Sequence, residues 1–276
     1  MSYYLASFKK WTLLDPNKHK NFGVRKVDSF EFLKNIEMVP LGLSELIPVC
    51  LFYPVIFKTI EDNSLSPFAV VSIKKKSFYI TDENYGKINV IPQICNLYPF
   101  GIYKKSKEFM IVIEKEHLIP FSEDRRGQVE LIFDEHGNET EVFKKVKQEL
   151  TYFIKDFLEA KEFSNELYKE GCLKQVNVAI DTIWGKVVFK NVFLGDIEGL
   201  YRMQPEKLYY FNNKGFLPLL YAVFFSIRNF ELLKIVAKEI VISQSQISIS
   251  NKISHKKQKE FSEKYEFEKQ GNLPLI

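Results

Sequence analysis

From Met38 to about residue 135 the chain runs in short apolar stretches, each cut off by a turn, the pattern of β-strands. Pro67-Phe68-Ala69-Val70-Val71-Ser72-Ile73, then three lysines, then Ser77-Phe78-Tyr79-Ile80 has the form of a hairpin. Residues 108–113 and 128–133 read as two further strands, the second closed by the turn formers Asp134-Glu135-His136-Gly137-Asn138. The period then changes. Asn138 with Glu141 three places on can form a capping box. Behind it Val142, Val146, Leu150, Phe153, Ile154, Phe157 and Leu158 recur at helical spacing. This predicts a long amphipathic helix over about 139–169, stopped by Gly171. Strands are expected at 176–180 and 186–189, paired around Trp184-Gly185, and a short helix at 206–211. A last helix over about 215–240 is apolar on all sides in its first half and should be buried. Two segments echo one another, Tyr53-Pro54 and Tyr98-Pro99, each followed by apolar residues and a strand.

The expected fold is therefore α+β. A mixed, mostly antiparallel sheet from the N-terminal half and middle packs against the two long helices. Three regions follow: a basic N-terminal extension (1–36), one α+β domain (37–240), and a charged, flexible tail (241–276). Charge placement supports this division. The net charge is +4. Residues 1–36 hold seven Lys/Arg against three Asp/Glu, and residues 251–276 hold six Lys against four Glu, leaving the body slightly acidic. A nucleic-acid binder carries its basic stripe on the folded domain, so no nucleic-acid partner is expected.

Three cysteines, Cys50, Cys95 and Cys172, lie far apart among apolar neighbours and form no CxxC, which suits a reducing compartment. The start of the chain lacks the features of a secretory leader, so a cytoplasmic location is the expectation. The longest apolar run, from Phe216 to Ile227, is well short of the roughly 20 residues that span a bilayer. Membrane contact, if made, would be peripheral.

Candidate chemistry is sparse. The chain has no GxSxG, P-loop or GxGxxG, and no cofactor or metal is expected. Glu114, Glu116 and His117 suggest a metal pair, but a continued strand would point His117 away from the two glutamates. Asp134 with Glu135, and Asp196 with Glu198, are carboxylate pairs of a kind common on solvated surfaces. Arg125-Arg126 could grip an anion. Glu114, Arg125, Arg126 and His136 are thus the candidates for any catalytic role. The aromatic set Tyr201, Tyr209, Tyr210, Phe211, Phe216, Tyr221, Phe224 and Phe225 sits at helical spacing and reads as core rather than a ligand groove.

Several ordered features carry a resemblance. They are Tyr53-Pro54-Val55-Ile56-Phe57, Tyr98-Pro99-Phe100, and Gly127 with Leu131-Ile132-Phe133-Asp134, Gly137 and Thr140 ahead of the long helix. The last is Leu208, then Asn213-Lys214-Gly215-Phe216-Leu217-Pro218-Leu219-Leu220-Tyr221-Ala222, with Ser226-Ile227 and Asn229. Over about residues 36–235 the chain resembles the SapC family of bacterial proteins associated with the surface layer. Where that family often has Ile-Asp, this chain has Ile113-Glu114. The resemblance implies an accessory role in production, export or attachment of the surface protein, without catalysis. It also implies a protein partner, the surface-layer subunit or its export machinery, and an association with the cell envelope. The alternative is an enzyme that modifies a surface protein or its glycan. No catalytic residues come with the resemblance.

Overall fold

The computed structural model describes residues 10–233, apart from 26, 28–29, 31, 34–35, 61–62, 74–75, 78–89, 106–107, 125–126, 183–184 and 232. In chain order the first half comprises β1 (Trp11–Leu13), α1 (Pro16–His19), β2 (Phe22–Arg25), β3 (Met38–Pro40), α2 (Leu46–Cys50), β4 (Val55–Thr59), β5 (Leu65–Val70), β6 (Ser72–Ile73), β7 (Lys76–Ser77), α3 (Gln93–Asn96), β8 (Phe100–Lys105), β9 (Glu108–Glu114), β10 (Leu118–Pro120) and β11 (Val129–Leu131). The second half comprises α4 (Glu141–Lys169), β12 (Leu173–Thr182), β13 (Gly185–Gly195), α5 (Glu198–Tyr201), α6 (Pro205–Asn213) and α7 (Phe216–Ser226). The molecule is α+β, as the alternation of periods predicts.

The main sheet has the order β12-β13-β4-β5-β3 with every described pairing antiparallel. Val55, Ile56 and Phe57 are all buried in succession on β4. Successive side chains leave opposite faces of a strand, so both faces of the sheet are covered there. Helix α4 packs along β5, and α7 packs on β13, β4 and α2. Two three-stranded sheets, β1-β9-β8 and β10-β2-β11, stand beside the main one. Residues 11–25, read from sequence as part of an extension, thus supply β1, α1 and β2, and both strands lie in sheets of the body.

Helix α4 spans about 43 Å at 1.5 Å per residue. Phe143, Leu150, Phe153, Phe157, Ala160, Phe163 and Leu167 form its buried stripe at intervals of three, four and seven. Its N-cap is Thr140, not Asn138. The Thr140 hydroxyl accepts from Phe143 N–H at 3.3 Å, while Asn138 is engaged by Asp134 through side chain and backbone. The turn around Asp134 claims Asn138 first, and the cap falls to the next residue able to accept. Thr140→Ala is expected to cost about 1 kcal/mol, the usual value of such a cap, measurable by denaturant melting. At the other end Cys172 N–H reaches Leu167 C=O at 2.8 Å and Gly171 N–H reaches Tyr168 C=O at 3.1 Å. This is the double bond pattern that closes a helix through a left-handed residue, here Gly171 at φ +69°.

The predicted hairpin near residue 73 is present as β6 and β7, although Phe78-Tyr79-Ile80 lies outside the described residues, as does Trp184. The last predicted helix, over 215–240, is shorter where described: α7 ends at Ser226 and a turn at Ile227-Arg228 interrupts it. Helical residues follow the turn at 229–231 and 233, and the rest of the predicted span and the tail lie outside the described residues. Among the described residues no helix is long and apolar enough to cross a membrane.

Candidate functional site

Strand β9 ends at Glu114, and a single 3-10 turn, Lys115–His117, carries the chain into β10. That turn joins two of the small sheets. Glu114 is pinned by its backbone: it pairs with Trp11 on β1, and its N–H donates to Pro99 C=O at 3.0 Å. Its side chain is only 8% exposed. The Tyr98 hydroxyl donates to Glu114 Oε2 at 2.5 Å and lies 3.0 Å from His117 Nε2. Because the phenol spends its one proton on the carboxylate, the imidazole must be the donor in the second contact, which fixes the proton on Nε2. Phe32 stacks on the Tyr98 ring at 3.8 Å and 8°, and the His117 ring stands edge-on to it. Burial pulls the His117 pKa down, more than Glu114 and Glu116 raise it. Burial and then the adjacent Glu114 push Tyr98 up, so it remains a phenol. Glu116, exposed, approaches His117 Nε2 to 3.9 Å.

The expected splaying of Glu114 and Glu116 from His117 is therefore overturned. It assumed period-two alternation through residue 117, whereas the strand stops three residues earlier. The turn gathers one donor atom from each of the three side chains to within 4.8 Å of one another.

The other candidates do not join them. His136 is exposed in the Asp134 turn, with its ring 3.5 Å from Glu135. Its N–H and that of Asn138 both donate to Asp134 Oδ1, at 2.9 and 2.7 Å. These bonds, led by the Asn138 side chain, hold Asp134 below the usual carboxylate range. The turn is structurally accounted for without a substrate. Arg125 and Arg126 lie outside the described residues. Asp196 accepts from Glu198 N–H at 3.0 Å, a local turn contact at the start of α5.

A hollow of about 1190 Å³ runs between β8–β9 and α4, floored by Ile102, Phe109, Ile111, Phe143 and Leu150. Neither Glu114 nor His136 lines it. Two of its rim lysines are engaged, Lys144 with Glu141 and Lys147 with Glu139.

A pair of carboxylates missed in the sequence joins α2, α3 and α4. Glu45 accepts from Gly42 N–H at 2.9 Å and from Gln93 N–H at 2.7 Å. Asp156, buried on α4, accepts from Ser44 N–H and, at 2.7 Å, from the Ser44 hydroxyl. Gly42 sits so close to the Asp156 carboxylate that a methyl group there would run into it. The sequence signal was present, since an Asp stands between Phe153 and Phe157 on an otherwise apolar stripe.

The aromatic set divides in two. Phe211 and Phe216 are core and pack ring against ring at 5.6 Å. Tyr201 (79% exposed), Tyr209 (70%) and Phe225 (60%) face solvent, with Tyr221 and Leu208. Leu51, 67% exposed, and Ile47 extend this surface onto α2. Tyr221 and Phe225, four residues apart on α7, share one side of the helix. Tyr221 borders a hollow of about 620 Å³ with Tyr201, Leu208 and Tyr209. Phe225 borders one of about 640 Å³ with Ile47 and Leu51. Helical spacing identified these residues as a group but could not say which side of each helix has a neighbour.

A family model described as SapC matches residues 14–233. The chain belongs to the SapC family. The match begins well before residue 36, in keeping with the seating of β1 and β2 in the SapC body. No curated protein and no solved structure matches this SapC chain.

Proposed function

We propose that this SapC-family protein is an accessory of the bacterial surface-layer system, one that helps production, export or attachment of the surface protein by binding it or its export machinery, with no catalysis of its own. The observation that carries this reading is the exposed aromatic and aliphatic surface on α2, α5, α6 and α7. Contiguous apolar surface rich in Tyr and Phe is costly to leave in water and is the composition of protein-binding patches. Nucleic acid is not a suitable partner, since the flanking surface is led by tyrosines and aliphatics rather than by a basic stripe. The enzyme alternative would need the four candidate side chains in one pocket, and Glu114 and His136 have separate partners.

The test uses the tagged full chain recovered from its own cells, with bound polypeptides identified by mass. The surface-layer subunit or an export component should accompany the unaltered protein. A Tyr209→Ser/Phe225→Ser variant should lose at least tenfold of that partner while melting within a few degrees of the parent, because both side chains are already exposed. Full retention of the partner would remove this surface from the proposal. A surface protein whose mass differs between cells with and without this protein would favour the enzyme instead.

A further inference from the structure

The turn that joins β9 to β10 gathers two carboxylates and an imidazole, with Arg25 near enough to act on the His117 ring. Glu114 is 8% exposed, and among the described residues its carboxylate is held by a hydroxyl rather than by an ion pair. A buried carboxylate is normally paired with a cation or bound to a metal. Its described side-chain partner is the neutral Tyr98 hydroxyl. Around it stand a second carboxylate, Glu116, and the nitrogen His117 Nε2, with one donor atom from each of the three residues within 4.8 Å of the others. One imidazole with two carboxylates is a donor set suited to zinc and similar first-row divalent ions.

We propose that Glu114, Glu116 and His117 form a binding site for a divalent transition-metal ion of the zinc class, at the joint between the β1-β9-β8 and β10-β2-β11 sheets. Zinc–ligand distances of roughly 2.0–2.2 Å bring donor atoms about 3–3.6 Å apart. The cluster must therefore contract by about 1 Å, to which the exposed Glu116 side chain can contribute by a change of rotamer. Glu114 is fixed by its strand pairing and the His117 backbone by the turn, and the His117 ring gives up its contact with the Tyr98 hydroxyl for Nε2 to reach the ion. The Tyr98 hydroxyl, 2.5 Å from Glu114 and 3.0 Å from His117, holds the carboxylate and the imidazole in the absence of an ion. It is a positioning residue. When the ion takes the Nε2 lone pair, the imidazole proton resides on Nδ1 and the phenol keeps its own proton. Three protein ligands leave a fourth position, which water or the phenol oxygen fills.

The experiment is calorimetric titration of the untagged, chelator-treated full chain with Zn²⁺, alongside thermal melting with and without the ion. One equivalent should bind in the micromolar range or tighter, and the ion should raise the melting temperature of the parent. His117→Ala should weaken binding at least tenfold and abolish the thermal shift, and Glu116→Gln should weaken it by a smaller factor. His136→Ala should change nothing. Glu114→Gln should also lose binding, but its burial means it could misfold. His117→Ala and Glu116→Gln, at less buried positions, carry the test on their own. Absence of binding at 100-fold excess of Zn²⁺ over protein would overturn the proposal. Binding undiminished in His117→Ala would overturn it equally, because the ion would then lie elsewhere.

Discussion

Phe163→Ala is expected to lower the unfolding free energy by about 3–5 kcal/mol, the usual range for emptying a phenylalanine site in a packed core. Phe163 is fully buried on α4 and meets Phe216 of α7 edge-to-face, with centroids 5.1 Å apart. It therefore couples the helix that covers β5 to the helix that covers β13 and β4. A void there faces two long elements whose ends are fixed, one by the Thr140 cap and the Gly171 closure, the other by its packing on the sheet. Collapse around the void is hindered, which places the cost toward the upper part of the range. Whole domains have about 5–15 kcal/mol of stability, so the variant should melt far earlier in denaturant. A loss under about 1 kcal/mol would mean that α4 and α7 do not meet at this residue.

The second large effect depends on pH. Burial pushes the Glu45 pKa up to about 7 from an ordinary 4.5, aided by the Asp156 carboxylate and opposed by the Gln93 and Gly42 N–H groups. The folded protein thus holds a proton on Glu45 that the unfolded chain gives up earlier. The stability this lends is complete below pH 4.5 and is lost as pH rises to 7. At 1.36 kcal/mol per pH unit the loss is about 3 kcal/mol. His19 and His117, whose pKa values are lowered chiefly by burial, work against it, since acid below about 6.5 favours the unfolded chain at those sites. Comparison with Glu45→Gln isolates the Glu45 contribution. The amide offers one acceptor where the carboxyl group serves two N–H donors, so the variant should be the weaker protein at pH 4.5. Its deficit should shrink by about 3 kcal/mol by pH 7.5. Denaturant melts at five or six pH values would settle this, and a deficit constant across them would show that Glu45 does not titrate in this window.

Sequence pattern disclosed those parts of the molecule in which one period runs long enough to be read. Helix α4 shows seven apolar positions at helical spacing, and its extent is legible to within two residues. Strands β12 and β13 are longer than predicted, because Gln175 and Lys190 interrupt the apolar runs but point outward from a paired ribbon. The short elements were invisible. Helices α2 and α3 are four or five residues each, and α2 contains a proline. Strand β1 is three residues whose partner, β9, lies 100 positions away. Register of that kind is set by tertiary contact and leaves no local trace. The candidate site failed for a related reason. Glu114, Glu116 and His117 were visible as a set, but their geometry depends on where β9 stops, and a one-turn 3-10 segment has no periodicity to announce it. The Tyr-Pro echo proved structural. Each Tyr-Pro follows a short helix and precedes a strand, α2 to β4 and α3 to β8, and each tyrosine hydroxyl donates a bond into the body, Tyr53 to Val90 C=O at 2.8 Å and Tyr98 to Glu114.

The position of β4 in the main sheet also bears on how the chain is made. Its neighbour β13, paired through Phe193 to Phe57, and Ser226, whose hydroxyl accepts from Val55 N–H, are translated long after it; the Val55–Ser226 separation is 171 residues. At 5–20 residues per second, roughly 10–30 s pass on the ribosome before the second half can close over β4. During that interval Val55, Ile56 and Phe57 stand on an open strand with one edge unpaired, in a nascent chain that carries 16 of its 25 phenylalanines by the time β13 is reached. Any factor that shields this stretch during synthesis has a defined release point, the emergence of α7, and a ribosome stalled before β13 would present a sticky half-sheet to its neighbours.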